Sequence, residues 1–268
     1  MNLRTFIVNS FAEDFGQGNP AGVVLYSGEL PETAMQGIAF DINKSETAFV
    51  RPVKDSPDYE IRWFSPMKEV PLCGHATLAA SKVLHETTTL RAITFRYRGG
   101  QISVMHRPDD NFVMDFPLDD LRPLEVKEEF RTFFPGMRIE ECLRGEKTGK
   151  VILRIGEEIN IESVHPVFAA MRRYSGIGDR GIAITQRATA YDFVSRYFNP
   201  WYGVDEDPVT GSVHTVLARY WGEHLRTHTL RAHQASHRPG DLELQIEGEI
   251  VRIAGKAKIV LQGIIELP

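Results

Sequence analysis

The chain has 268 residues, 42% of them apolar, 25% charged and 10% aromatic, the make-up of an ordinary globular protein with room for one large core or two of about 130 residues. Its 31 basic and 36 acidic residues leave a net charge of −5, so no basic field exists to hold a nucleic acid or an anionic membrane. Two cysteines, Cys73 and Cys142, are too few for a disulfide scaffold, no apolar run reaches the roughly 18 residues of a membrane span, and Met1-Asn2-Leu3-Arg4 opens an alternating stretch rather than a signal-peptide core, so the expected compartment is the cytoplasm.

In chain order, the first predicted helix runs from Pro31 to Phe40, and Tyr59, Ile61 and Trp63 alternate with polar residues as a half-buried strand does. Arg62-Trp63-Phe64-Ser65-Pro66 ends that strand. Pro71-Leu72-Cys73-Gly74-His75 then opens a helix in which Ala76, Leu78, Ala79, Val83 and Leu84 recur at helical spacing. Short strands follow at Ile93–Tyr97 and Ile102–Val104, with a turn at Gly99-Gly100. Leu118–Pro123, acidic and proline-bearing, reads as a connection, and Val167–Tyr174 as a further helix.

The pattern then repeats. Arg196-Tyr197-Phe198-Asn199-Pro200 lies 134 positions after its counterpart, and Pro208-Val209-Thr210-Gly211-Ser212 lies 137 after its own, the difference falling in the loop Trp201–Asp207. Val213, Val216, Leu217 and Tyr220 carry the second helix, and Leu242–Ile246 a late strand after the turn at Pro239-Gly240. The expected architecture is therefore α+β: two pseudo-symmetric lobes, 1–118 and 119–268, each a strongly curled, mostly antiparallel sheet around one central helix that is apolar on more than one side. The last strand is free to return to the first lobe. A ligand is expected in the crevice between lobes.

Helix N-termini present unpaired N–H groups and partial positive charge, which makes Gly74-His75 and Gly211-Ser212 candidates for gripping a carboxylate. Glycine and serine are also ordinary helix starts. Glu46 stands just before an apolar strand, where a lone glutamate is usually a solvated charge, and Asp207 stands where it can simply complement a helix dipole. His75, at a positive helix end, can donate or accept a hydrogen bond as a neutral imidazole, or be a buried, satisfied histidine.

Taken together, Gly18-Asn19-Pro20-Ala21-Gly22, Ser45-Glu46-Thr47-Ala48-Phe49-Val50, Arg62–Pro66, Pro71-Leu72-Cys73-Gly74-His75-Ala76-Thr77 and Glu206–Ser212 resemble the phenazine-biosynthesis isomerase (PhzF-like) family, in the same order and over nearly the whole chain. The resemblance implies a diaminopimelate-epimerase-like fold and an isomerase that shifts a proton within a small enolisable carboxylic acid. It implies Glu46 as the proton carrier, His75 and Asp207 beside it in the catalytic set, and Asn19, Gly74, Gly211 and Ser212 as substrate-binding residues. No metal and no organic cofactor is implied. One departure is Asn43-Lys44 ahead of Ser45-Glu46, where family members often carry an apolar residue.

Two alternatives remain open at the level of sequence. One is a non-catalytic small-acid binding protein on the same fold. The other is an amino-acid epimerase or racemase using Cys73, which occupies the position of the first of two opposed thiols in related enzymes; the second position holds Thr210, far too weak an acid for that task. His224, His228, His233 and His237 form a run that invites a metal, but a helix exit between them would scatter the imidazoles; the family resemblance implies that Gln234-Ala235-Ser236 is a strand lining the cleft, which places His233 near substrate without a metal. No glycine-rich phosphate loop is present. The expected partners are the small carboxylate and, as for many soluble enzymes, a second copy in a homodimer.

Overall fold

The computed structural model describes residues 1–178 and 180–267. It divides into two compact units: Met1–Asp115 together with the segment from Ala254 onward, and Phe116–Ile253. The first contains β1 (Asn2–Ser10), β2 (Asn19–Leu25), α1 (Glu32–Ile42), β3 (Thr47–Pro52), β4 (Tyr59–Phe64), β5 (Glu69–Val70), α2 (Gly74–Thr88), β6 (Ala92–Tyr97), β7 (Gly100–His106) and β8 (Phe112–Pro117), in which the division falls. The second contains β9 (Leu121–Pro123), α3 (Glu128–Phe133), β10 (Ile139–Gly145), β11 (Val151–Ile155), α4 (Phe168–Arg173), β12 (Ile182–Arg187), β13 (Phe193–Asn199), β14 (Val204–Asp207), α5 (Gly211–Leu225), β15 (Thr229–Gln234), β16 (Gly240–Glu247) and most of β17 (Ile250–Gly255). The last strand, β18 (Ala257–Glu266), belongs to the first unit and lies antiparallel to β1. None of the described helices is long and apolar enough to cross a membrane.

The two units share one order of pairings. In the first, β1 and β2 are antiparallel, β2 and β3 parallel, β3 and β4 antiparallel, and β4 then forks to an antiparallel β5 and a parallel β6. In the second, β10 and β11 are antiparallel, β11 and β12 parallel, β12 and β13 antiparallel, and β13 forks to β14 and β15 in the same senses. The repeat extends to side chains. Arg62 on β4 forms a two-pronged pair with Glu69 at 2.7 and 2.8 Å, and Arg196 on β13 forms one with Glu206 at 2.6 and 2.8 Å. Each guanidinium also lies about 5 Å from the phenylalanine two residues on, Phe64 or Phe198.

Burial explains why the central helices lack a polar face. Every residue of α2 from His75 to Ser81 is buried, because the helix packs on β1, β2, β3, β7 and β18 around its circumference. Ala76, Ala79 and Ala80 keep those strands close, and Leu78, Val83 and Leu84 fill the remaining volume, each burial of a large aliphatic side chain contributing about 1.5–3 kcal/mol. The helix stops at Thr89, whose left-handed backbone (φ 63°) turns its N–H onto the His85 carbonyl. On the other face of the first sheet, Met35, Ile38 and Ala39 of α1 pack on Leu3, Val24, Phe49 and Phe64. The second unit has its own aromatic core of Phe130, Phe133, Phe134 and Phe198, with Tyr174 and Trp201 against it.

Leu118–Pro123, expected as the connection between lobes, follows closely on the division between Asp115 and Phe116 and is itself ordered: Leu118 and Asp119 are fully buried, and Leu121–Pro123 pairs with β10 as a strand. The Asp119 carboxylate accepts hydrogen bonds from the Lys147 N–H, the Thr148 N–H and the Thr148 hydroxyl at 2.8, 2.9 and 2.6 Å, which satisfies the buried group.

Candidate active site

Two close backbone approaches place Glu46. A Cβ on Gly22 would lie 2.6 Å from Thr47 Oγ1, so only glycine lets β2 run against the start of β3, and the Gly22 N–H donates to the Glu46 carbonyl at 3.0 Å. Gly18, left-handed at φ 68°, turns the chain into Asn19, which is completely buried at the head of β2. Glu46 is thereby fixed at the last position before a buried strand, with a side chain only 14% exposed.

Around this carboxyl group the first unit assembles Asn19, Ser45, Cys73 and His75. Glu46 Oε2 lies 3.3 Å from His75 Nε2, and the Ser45 hydroxyl lies 3.3 Å from the same nitrogen. Asn19 Nδ2 lies 3.5 Å from His75 Nδ1; an amide N–H can only donate, which makes Nδ1 the acceptor and puts the imidazole proton on Nε2, facing Glu46. The Ser10 hydroxyl donates to the His75 carbonyl at 2.6 Å and pins the first turn of α2. Burial pushes the Glu46 carboxyl above its ordinary value of 4.5, opposed by hydrogen bonds from Ser45 and Cys73 to the ionised form. The Ser45 hydroxyl has a second acceptor in Asn19 Oδ1 at 3.4 Å. Its single proton is drawn to Glu46 when the carboxylate is charged and is released toward Asn19 when it is neutral.

Folding therefore depends on the Glu46 proton. The unfolded chain ionises this group near 4.5 and the folded chain at higher pH, so across that window the folded state holds the extra proton and stability falls as pH rises. Glu46→Gln is expected to melt above the native protein at neutral pH, by about 2–4 °C for each kcal/mol of relieved desolvation. Thermal melts at several pH values check the sign: the gap must close on acidification below about 4.5, and a variant less stable than native at neutral pH contradicts it.

Glu46, Cys73 and His75 also present three donor atoms within 4.8 Å of one another, a spacing at which a metal must be considered. The arrangement does not suit one. Cys73 Sγ is 3.5 Å from Nδ1 and 3.9 Å from Nε2 of His75, so the sulfur sits over the face of the ring. An ion in the ring plane at either nitrogen is then out of a thiolate's reach until the imidazole turns.

In the second unit, Asp207 ends β14 and accepts a hydrogen bond from the Thr210 hydroxyl. Gln234 clamps the loop between them: its amide donates to the Asp207 carbonyl at 2.7 Å and accepts from the Thr210 N–H at 2.9 Å. The Ser236 hydroxyl holds the Pro208 carbonyl at 2.8 Å. Gly211 is buried at the start of α5 and Ser212 beside it is exposed. Neither central helix has a side-chain cap: Cys73 and Thr210 hold the N-cap positions without one, which leaves the first-turn N–H groups at Gly74 and Gly211 for a ligand.

Glu46, His75 and Asn19 thus come together in one unit, and Asp207, Gly211 and Ser212 lie on one loop in the other. Ser45 was missed, although it adjoins Glu46 in the same motif, and so was Gln234. His233 is not where it was expected. It pairs with Asp241 at 2.6 Å and stacks on Tyr191, because strand alternation turns it to the face opposite Gln234. Among the described residues the four-histidine run contributes to no group of metal donors.

Comparison with known proteins adds a second line of findings. A family model described as phenazine biosynthesis-like protein (PhzC-PhzF) matches residues 8–263. An uncharacterized isomerase of Pseudomonas aeruginosa is 41% identical over 269 residues that cover 100% of both chains. The crystal structure of a PhzF-family phenazine biosynthesis protein from Enterococcus faecalis matches with a TM-score of 0.92 at 35% identity, again over 100% of both chains. The structure of a predicted epimerase from Pseudomonas aeruginosa shares the fold at a TM-score of 0.75 and 18% identity, covering 99% of each chain.

Proposed function

The chain belongs to the phenazine biosynthesis-like (PhzC-PhzF) family, and from that premise we propose that it is a cofactor-independent isomerase that moves a proton within a small enolisable carboxylic acid, with Glu46 as the carrier. The observation that carries the reading is the Glu46 carboxyl group, buried, raised in proton affinity, and in contact with Ser45, Cys73 and the Nε2 side of His75. A carboxyl that ionises nearer neutrality can both take and return a proton.

Ionised Glu46 removes a proton from carbon; the C–H electron pair passes into the conjugated acid; the protonated Glu46 then delivers the proton to a different carbon. Uncapped N–H groups at Gly74 stabilise the charge that develops on the substrate carboxylate. His75 Nε2–H holds the ionised Glu46, and Asn19 holds His75 in that tautomer. Asp207 and Ser212, on the loop that opens α5, are the substrate-binding candidates of the second unit.

Incubation with small unsaturated or β-activated acids in deuterated water tests the reading. Catalysis places deuterium on carbon in the turned-over acid, whereas an acid-binding protein without a working carrier only gains melting temperature. The Cys73 thiol, hydrogen-bonded to Glu46, gives the epimerase reading its one specific support. That reading requires Cys73→Ala to abolish labelling while Glu46→Gln retains it.

A further inference from the structure

Cys73 and Thr210 hold the same place in the repeat, as the residues from which α2 and α5 start, and both have extended backbones with no side-chain bond into their own helix. In the second unit the freed Thr210 hydroxyl donates instead to the carboxylate of Asp207. The first unit has the corresponding arrangement with a different carboxylate. Thr77 holds the Cys73 carbonyl twice, through its N–H at 3.1 Å and its hydroxyl at 2.7 Å, which fixes the residue from which the thiol projects. The sulfur is buried and lies within 4.8 Å of a carboxyl oxygen of Glu46 and of an imidazole nitrogen of His75. A thiol has one proton to give. Sγ stands 3.5 Å from Nδ1 and 3.9 Å from Nε2, over the ring, while the Nδ1 lone pair lies in the ring plane and takes the Asn19 N–H. Nε2 carries the imidazole proton, so His75 leaves the thiol no lone pair. Glu46 is the acceptor that remains, and the thiol donates to it.

We propose that Cys73 is a positioning residue whose thiol donates a hydrogen bond to the ionised Glu46 carboxylate and holds it beside His75, without itself taking a proton from substrate. The inference rests on Glu46 being the proton carrier. A donor to the charged form favours that form, so the thiol counteracts part of the burial that raises Glu46 and brings the carboxyl group to ionisation at a lower pH. Sulfur suits the task in degree: S–H is a weaker donor than O–H, so it steadies the carboxylate and leaves it basic. Among the described residues the titratable side chains in contact with Glu46 are Cys73 and His75, while the neighbouring Ser45 and Asn19 are uncharged and Lys44, two residues before, forms no ion pair with it.

The test reads the Glu46 carboxyl group directly and without substrate: its carbon-13 resonance, assigned by its loss in Glu46→Gln, is followed against pH. Relative to the native protein the midpoint is expected to rise by about half a pH unit in Cys73→Ala, which loses the donor, and to fall in Cys73→Ser, which strengthens it. An unchanged midpoint in Cys73→Ala, or a raised one in Cys73→Ser, overturns the inference. The infrared S–H bands of the native protein supply an arm that holds even where a variant fails to fold. Burial pushes the Cys142 thiol up to about 12, so its band is expected to stay fixed while that of Cys73 moves to lower frequency as Glu46 ionises; two bands that both ignore pH overturn the inference. In deuterated water Cys73→Ser is expected to label the acid with its acid limb displaced to lower pH, and loss of labelling in that variant replaces the donor with a thiol base. Labelling that survives Glu46→Gln removes the carrier on which the inference stands, whereas a fixed midpoint in Cys73→Ala beside labelling that vanishes in Glu46→Gln removes the inference alone.

Discussion

Glu46→Gln is expected to lower proton exchange by roughly 10²–10⁴-fold, the usual share of a positioned acid–base group. The substitution is nearly isosteric and keeps an oxygen that accepts from Ser45 and Cys73, so the site retains its shape while losing a carboxyl group of raised proton affinity. Binding of an unreactive acid is expected to persist, since the helix-end N–H groups are untouched. Labelling in deuterated water and ligand-induced melting shifts separate the two effects. A variant that binds and still exchanges at the native rate removes Glu46 from the mechanism. His75→Ala is the informative companion, because His75 Nε2 lies 3.3 Å from the Glu46 carboxyl group and its loss is expected to change the pH profile as well as the rate.

The second large effect is on stability. Arg196→Ala is expected to cost about 3–5 kcal/mol, because it strands the Glu206 carboxylate with no counter-charge at a site where the pair is only 9% and 12% exposed. The same guanidinium donates to the carbonyls of Ile161, Glu162 and Val164 at 3.0, 3.3 and 2.7 Å, so three further acceptors lose their donor. Its counterpart in the repeat, Arg62, is 29% exposed and pairs with glutamates that water can reach. Arg62→Ala should therefore cost about 1 kcal/mol. Urea unfolding of both variants decides the matter: equal losses mean that burial does not control these duplicated pairs.

That duplicated pair also marks where sequence reading ends. The arginines announced the repeat at a spacing of 134, but Glu69 and Glu206 are 137 apart, on the far side of a loop insertion, and were not recognised as their partners. The central helices were legible because Gly74 and Gly211 each stand before a long apolar run, and α2 and α5 begin at those glycines. By contrast α3 has six residues, fewer than two turns, too few for a period to register.

At the site, the motif around Glu46 singled out a residue but gave no account of its surroundings. A glutamate before a strand is normally solvated. What alters it is tertiary: Asn19, Ser45 and His75 arrive from separate elements, and the spacing along the chain, 26 residues from Asn19 to Ser45 and 30 from Ser45 to His75, carries no sign that they meet. His233 and Gln234 show the finer limit. Either can face a loop, and only the register of β15 against β16 decides which of two neighbours does.

The return of the final segment to β1 also imposes an order of birth. The Leu267 N–H donates to the Met1 carbonyl at 2.9 Å and the Met1 nitrogen to the Leu267 carbonyl at 2.6 Å, so residues made early and late in synthesis are neighbours. Residues 116–253 are contiguous and can condense while still tethered to the ribosome, yet the unit that holds β1 stays unfinished, with one side of β1 vacant, until β18 has been made. Loss of β18 therefore damages the unit that holds β1 rather than the one that precedes β18 in the sequence.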